Sequence, residues 1–239
     1  MLSNLLPFFI GWGTNEAWEK RMNVTLLNWT PDPELTIARA ARLCYSKKFE
    51  ENLTLDKARK LITNVVARGH ESVLEHASFT FLIEGLSRAA SHQLVRHRLV
   101  SFSQQSQRYI RFKNPNYVIP PSIESNPHAT MIFNDIVERN IKIYQELLDM
   151  GIPEEDARYI FPQAITSHLI LTANARELLH IFRLRLCNRA QWEIRILAEQ
   201  MLNLVKEKAP IVFENAGPAC LTGICPEGDK GCGQPWKRK

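Results

Sequence analysis

Apolar and polar positions change their period several times along the chain, and each change marks an element. Residues 23–29, Asn-Val-Thr-Leu-Leu-Asn-Trp, open with β-favouring side chains and predict a strand. Pro33 and Glu34 then start a helix through Ala38, Ala40, Ala41 and Leu43. Proline is tolerated in a first turn because the N–H it lacks would have had no partner there. Leu55, Ala58, Leu61 and Val65 or Val66 recur at helical spacing and predict a second helix over about 55–67, ended by Gly69. Phe79-Thr80-Phe81-Leu82-Ile83 predicts a strand, and helical spacing returns from about Ser87 to Arg98.

Pro115, Pro120, Pro121 and Pro127 make 114–127 a loop or a short extended segment. A long amphipathic helix follows over 129–150 and stops at Gly151 and Pro153. Residues 165–172 fit either a strand or the start of a helix. Residues 175–207 are helical, as one helix or two, with Leu178, Leu179, Phe182 and Leu186 on the apolar stripe. The last 24 residues hold five glycines, three cysteines and three prolines and read as a loose tail.

There is no internal repeat, no heptad run and no linker. The expected fold is α+β: a single domain with a mixed or antiparallel sheet packed by long helices, without the regular alternation of a doubly wound fold. Leu5 to Trp12 is apolar, but Pro7 and Gly11 interrupt it and no Lys or Arg precedes it, so a secretory signal is a poor reading. Residues 1–21 are expected to be an extension, with an ordinary N-terminal helix as the alternative. Residues 22–213 are expected to form the domain, and 214–239 a Cys/Gly-rich tail.

Composition adds little to this and excludes more. Of 239 residues, 45% are hydrophobic and 23% charged, enough for a sizeable core and unlike a disordered chain. No apolar run reaches the roughly 18–20 residues of a membrane-spanning helix, so no membrane partner is expected. Thirty Lys and Arg against 25 Asp and Glu give a net charge of +5, which favours anionic ligands but is too weak to imply nucleic acid. Five cysteines in a chain of this length do not make a disulfide scaffold, and a cytoplasmic location is expected.

The most unusual stretch is 85–123, which contains no Asp or Glu but carries Arg88, His92, Arg96, His97, Arg98, Arg108, Arg111 and Lys113. Either an external anion neutralises it or carboxylates elsewhere in the fold do. Arginine suits phosphate because its planar fork can bind two oxygens at once. If the helix continues, Gln93, Arg96 and His97 share a face. Beyond Arg98, the run from Ser101 to Arg108 is dense in short donors that can line a phosphate and read a base edge. A second cationic cluster holds Asn174, Arg176, His180, Arg183, Arg185, Arg189 and Arg195. Arg176 with His180, and Arg185 with Arg189, are i,i+4 pairs of like charge, so an acidic partner such as Glu177 or Glu193, or a ligand, should offset them.

His70-Glu71-Ser72-Val73-Leu74-Glu75-His76 lacks the HExxH spacing, so capping of a turn is preferred to a metal. Cys220, Cys225 and Cys232 are spaced C-x4-C and C-x6-C without an evident fourth ligand, which favours a reduced tail over structural zinc. Cys44 and Cys187 fall on helix stripes and are expected to be core thiols. No metal is expected in the site. The chain shows neither GxGxxG after a strand nor GxxxxGK[ST], so any nucleotide cofactor must be held by side chains and helix ends.

Arg96-His97-Arg98, seven residues and then Ser106 is the pattern RHRx7S. In its extended form, Gln93-x-x-Arg96-His97-Arg98-x-x-Ser101-Phe102-x-x-x-Ser106-x-Arg108-Tyr109, it resembles the signature of the flavin-dependent thymidylate synthases. Gly69-His70-Glu71-Ser72-x-x-Glu75-His76 before Phe79-Thr80-Phe81 resembles a second family block. Asn174-Ala175-Arg176, Leu184-Arg185 and Ala190-Gln191-Trp192-Glu193 resemble a third. The likeness covers roughly Met22 to Phe213.

The resemblance implies reductive methylation of 2′-deoxyuridine monophosphate (dUMP) to thymidine monophosphate. Methylenetetrahydrofolate gives the carbon, FAD reduced by NADPH gives the hydride, and a homotetramer shares its sites between subunits. Carried over by position, Ser72, Arg96, His97, Arg98, Gln104, Asn174, Arg176 and His180 would contact FAD. Gln93, Arg96, Gln104, Gln105, Ser106, Gln107, Arg108, Arg158 and Arg185 would contact the nucleotide. Arg185 would be the catalytic residue, set against the uracil ring as a fixed cation, and Ser106 would bind rather than attack.

This chain departs from the family's usual pattern at Ser103-Gln104 (often Asn-Glu), at His180 (often Asn), at Cys44 (often Ser) and at Arg189 (often His). The competing readings are an RNA- or nucleotide-binding module without catalysis and a zinc-tail scaffold. The first lacks an RNP-like aromatic strand and a GxxG loop.

Overall fold

A computed structural model of the chain describes residues 22–236. The expected extension, 1–21, lies outside the described residues, as do 237–239 of the tail. Four strands form one antiparallel sheet: β1 (Asn23–Trp29), β2 (Ser78–Ser87), β3 (Ser101–Gln104) and β4 (Thr166–Asn174), in the order β1-β2-β4-β3. Period-two alternation fixes the register. Phe79, Phe81 and Ile83 of β2 pair with Ala173, Leu171 and Leu169 of β4, and all six point into the core. The register slips between Ile83 and Leu86, where Gly85 takes φ +79°, a conformation that costs glycine nothing. The segment expected to be either strand or helix is therefore β4.

The helices α1 (Pro33–Leu43), α2 (Leu55–Ala67), α3 (Arg88–Leu94), α4 (Pro127–Asp149), α5 (Ala175–Arg185) and α6 (Trp192–Lys208) account for most of the remaining core. The sequence between 175 and 207 forms two helices. Asn174 caps α5 by accepting from Glu177 N, and Gln191 caps α6 by accepting from Ile194 N. The buried stripe of α6 (Ile194, Leu197, Ala198, Met201 and Val205) belongs to the same core as the inner face of the sheet. Phe213 sets its ring edge against Phe79 and Phe182, with centroids 5.6 and 5.9 Å away.

Three expectations need correction. The helix expected over 87–98 ends at Leu94, so Gln93, Arg96 and His97 do not share a helix face. The tail is not loose over the described residues. Trp236 packs on the main core and donates its indole N–H to Asn188 Oδ1 at 3.2 Å, while Arg189 bridges to Glu227 at 2.5 Å and to the Lys230 carbonyl at 2.6 Å. Cys44 is exposed, because α1 ends just before it, and Cys187 is half-buried.

A second, smaller core lies under α4. It comprises Tyr144, Leu148 and Ala157 with Phe112 and Phe161 against them, the Tyr144 and Phe161 rings being 4.2 Å apart. Elsewhere α4 leaves Met131, Ile132 and Ile136 exposed.

Candidate active site

The deepest part of the site is built from the turn after α3 and the buried side of α5. Arg185, in the last turn of α5, donates from Nε to His97 Nε2 at 3.0 Å and from Nη2 to the Gln93 carbonyl at 2.9 Å. His97 is only 4% exposed, and its Nδ1 lies 3.4 Å from Glu177 Oε1. The His180 ring stands edge-on to it, centroids 5.7 Å apart. A ring nitrogen that accepts an N–H carries no proton, so the His97 proton sits on Nδ1, facing Glu177. Burial, then the Arg185 and His180 charges, holds the His97 pKa down to about 4, so the ring is neutral near pH 7. Burial raises the Glu177 pKa, against the pull of His180 and Arg176. Burial lowers that of Arg185, but an arginine starts so high that it stays cationic.

Nitrogens of His97 and His180 and an oxygen of Glu177 lie within 4.8 Å of one another, the one such metal-sized group among the described residues. Arg185 already donates into His97 Nε2, which leaves that nitrogen no lone pair for a metal. Cys220, Cys225 and Cys232 do not converge as ligands. Cys220 Sγ accepts from Trp236 N at 3.5 Å and Cys232 Sγ from Gln234 N at 3.4 Å.

The outer part follows β3, whose residues Ser101 to Gln104 pair with Thr172 to Leu169 at the edge of the sheet. Gln105 N continues the ladder by donating to the His168 carbonyl at 2.9 Å. Ser106 Oγ turns the chain by accepting from Arg108 N at 3.2 Å. The side-chain nitrogens of Gln104 and Gln107 are buried without a partner among the described residues. Buried amide donors normally have partners, so two such groups three residues apart call for acceptors from outside the chain.

The acid-free stretch resolves into two kinds of cation. Arg108 and Arg111 meet surface carboxylates, Glu155 at 2.8 Å and Asp149 at 3.4 Å. Arg96 and Arg98 are exposed and form no ion pair among the described residues. Arg158 donates to the Glu155 carbonyl at 2.9 Å. Burial, and then Arg158 itself, lowers the pKa of Arg88.

The block at 70–76 also takes shape. Residues Glu71–His76 form a 3-10 turn, but His70 makes no side-chain cap. Glu71 and Glu75 instead hold Arg176, at 3.6 and 2.6 Å, which ties this turn with Ser72 to the start of α5. Arg185 and Arg189 do not share a helix face, because α5 ends between them. The fold thus gathers Gln93, His97, Arg185 and His180, with Asn174 and Arg176 at the start of the same helix and Ser72 on the 3-10 turn tied to it. It strings Gln104, Gln105, Ser106, Gln107 and Arg108 along the sheet edge, with Arg158 beside Glu155. Sequence reasoning missed Glu177 as the partner of His97. The available signal was a carboxylate on the buried stripe of α5, next to Leu178 and one turn from Ile181.

A family model described as "Thymidylate synthase complementing protein" matches residues 25–211. A flavin-dependent thymidylate synthase from Geobacter sulfurreducens is 50% identical over 219 residues, covering 89% of this chain and 94% of the relative. The chain belongs to the flavin-dependent thymidylate synthase family. A second flavin-dependent thymidylate synthase, from Clostridium tetani, is 43% identical over 238 residues, covering 91% of this chain and 96% of its own. Among solved structures, the UMP/dUMP methylase PolB from Streptomyces cacaoi, bound with 5-Br dUMP, superposes with a TM-score of 0.73 at 28% identity, over 81% of this chain and 93% of that one. The matched span holds every candidate site residue, from Ser72 to Arg185, and leaves out the cysteine tail.

Proposed function

We propose that the chain converts dUMP to thymidine monophosphate by reductive methylation, with methylenetetrahydrofolate, FAD and NADPH, at the site centred on Arg185. One observation carries this reading. Arg185 and His97 come from two signature blocks 88 residues apart and meet in a hydrogen bond, leaving Arg185 Nη1 unused within the described residues.

A cation fixed against the N3/O2 edge of uracil stabilises the negative charge that develops there and makes C5 a better nucleophile toward the methylene carbon. Gln93, Arg96, Gln105, Ser106, Gln107, Arg108 and Arg158 bind the nucleotide. Ser72, Arg96, His97, Arg98, Asn174, Arg176 and His180 bind FAD, and Gln104 lies between the two ligands. The unpaired cations of Arg96 and Arg98 and the orphaned amides of Gln104 and Gln107 suit the phosphates and polar edges of these two ligands. With Nε2 taken by Arg185 and Nδ1 turned to Glu177, His97 offers a flavin its ring face rather than a hydrogen bond. FAD, when bound, supplies the hydride, and NADPH restores it.

The exposed apolar side chains of α4, with Leu99 79%, Tyr109 78% and Tyr159 84% exposed, support a homotetramer whose sites are shared between subunits. No helix among the described residues is long and apolar enough to cross a membrane, and we place the enzyme in the cytoplasm.

An absorbance spectrum of the purified protein with added FAD tests the reading. Flavin bands shifted from those of free FAD, bleached by NADPH and altered again by dUMP, are expected. Folded protein that leaves the FAD spectrum unchanged would return the site to a nucleotide-binding module, whose affinity would fall steeply with salt.

A further inference from the structure

Glu177 has no part in binding either ligand in the reading above, yet it sits where a carboxylate is unfavourable. It is 7% exposed, on the same side of α5 as Ala175, Leu178, Ile181 and Phe182. A buried carboxyl persists when a partner compensates it. Its backbone N–H is already spent on the Asn174 cap, and its side chain faces His97 Nδ1. The groups around this pair are Arg185 and His180, both from α5, and Arg176 at the helix start.

The arrangement runs in one direction. Glu177 Oε1 faces Nδ1 at 3.4 Å and favours a proton there, so Nε2 keeps its lone pair and Arg185 Nε–H can donate to it. The other tautomer would set two N–H groups head to head across 3.0 Å and turn the guanidinium away. Ionised or protonated, the carboxyl keeps an oxygen able to accept.

We propose that Glu177 is a positioning residue of the reaction: it holds the His97 proton on Nδ1 and thereby fixes the Arg185 guanidinium for the uracil ring. The part played by Arg185 rests on the function proposed above, whereas the tautomer does not.

The test joins two readouts. A long-range proton–nitrogen spectrum of the full chain, labelled at histidine, is expected to show the His97 proton on Nδ1 in the wild type. That proton should be lost from Nδ1 in Glu177→Met and retained in Glu177→Gln, whose amide oxygen still accepts. At saturating dUMP, Glu177→Met should lower kcat by roughly 10- to 100-fold, as misplacement of a catalytic group does, with much less change in KM. Glu177→Gln should recover most of the loss. On an Arg185→Ala background, Glu177→Met should cost nothing further.

A wild-type ring protonated on Nε2 overturns the proposal, and so does an equal kcat loss with and without Arg185. Should Glu177→Met fail to fold, the wild-type ring spectrum and a Glu177→Gln variant with full kcat loss serve the same purpose. A wild type with the proton on Nδ1 but no methylation activity would sink the proposed function and leave the tautomer standing.

Discussion

The inner and outer parts of the site share a charge and differ in how that charge is held. Arg185 is half-buried and tied by two hydrogen bonds to His97 and the Gln93 carbonyl, with no carboxylate paired to it among the described residues. Arg96 and Arg98 stand exposed with no ion pair among the described residues, and Arg108 meets a surface carboxylate and the Tyr109 ring. Neutral acceptors aim a cation without cancelling its charge, whereas solvent-facing cations keep their reach and little fixed direction. On the proposed function, the inner part is expected to govern rate and the outer part affinity.

The strongest blow to that division would come from Arg185→Ala. Turnover should fall by about 10²- to 10³-fold, as when one preorganised charge-stabilising donor is removed, while flavin stays bound. Normal turnover would remove Arg185 from the mechanism.

The next effect is one of pH. His97 in the folded chain resists protonation until about pH 4, whereas an unfolded histidine takes up a proton near 6.5. Protons therefore favour the unfolded state. The contribution of His97 to stability is complete above pH 6.5 and disappears as pH falls toward 4, by at most about 3 kcal/mol. Denaturant unfolding at pH 7 and pH 4.5 should show the wild type losing more stability than His97→Gln on acidification. Equal losses would mean that the ring is not held neutral.

Arg96→Ala should behave in the opposite way to Arg185→Ala. Loss of one charge-assisted contact weakens binding of an anionic ligand by roughly 10-fold and leaves kcat at saturation nearly intact. A variant that loses kcat instead would blur the two parts into one. Least of all should be felt at Glu155→Gln. Its exposed pair with Arg108 contributes little in water, so the melting temperature should not move measurably. A clear drop would show the outer part to be as fixed as the inner.

Local pattern was enough for much of this architecture. The strand at 23–29 and the helix at 55–67 were predictable to the residue, because period and capping are properties of neighbours in sequence. The helix expected to reach Arg98 stopped at Leu94 for a tertiary reason: the next turn swings His97 inward against α5, and no local signal encodes that. The tail misled by composition. Glycine and proline predict looseness, but Trp236 on Asn188 and the Arg189 contacts with Glu227 and Lys230 anchor it. In the site, resemblance named His97 and Arg185 but not the bond between them, which exists only once β2 and β4 are in register. Glu177 was recognised as an acid near arginines, yet its partner is a histidine 80 positions away.

The strand order also has a consequence for how the chain matures. β2 must wait for β4, some 90 residues downstream, before either can be paired along both edges. Contacts of such separation form late, because loop closure precedes their reward. During synthesis the whole RHRx7S motif emerges well before α5 exists. A nascent or truncated chain ending before β4 therefore carries the complete signature and none of the anchored arginine, so it would advertise the enzyme without being able to act as one.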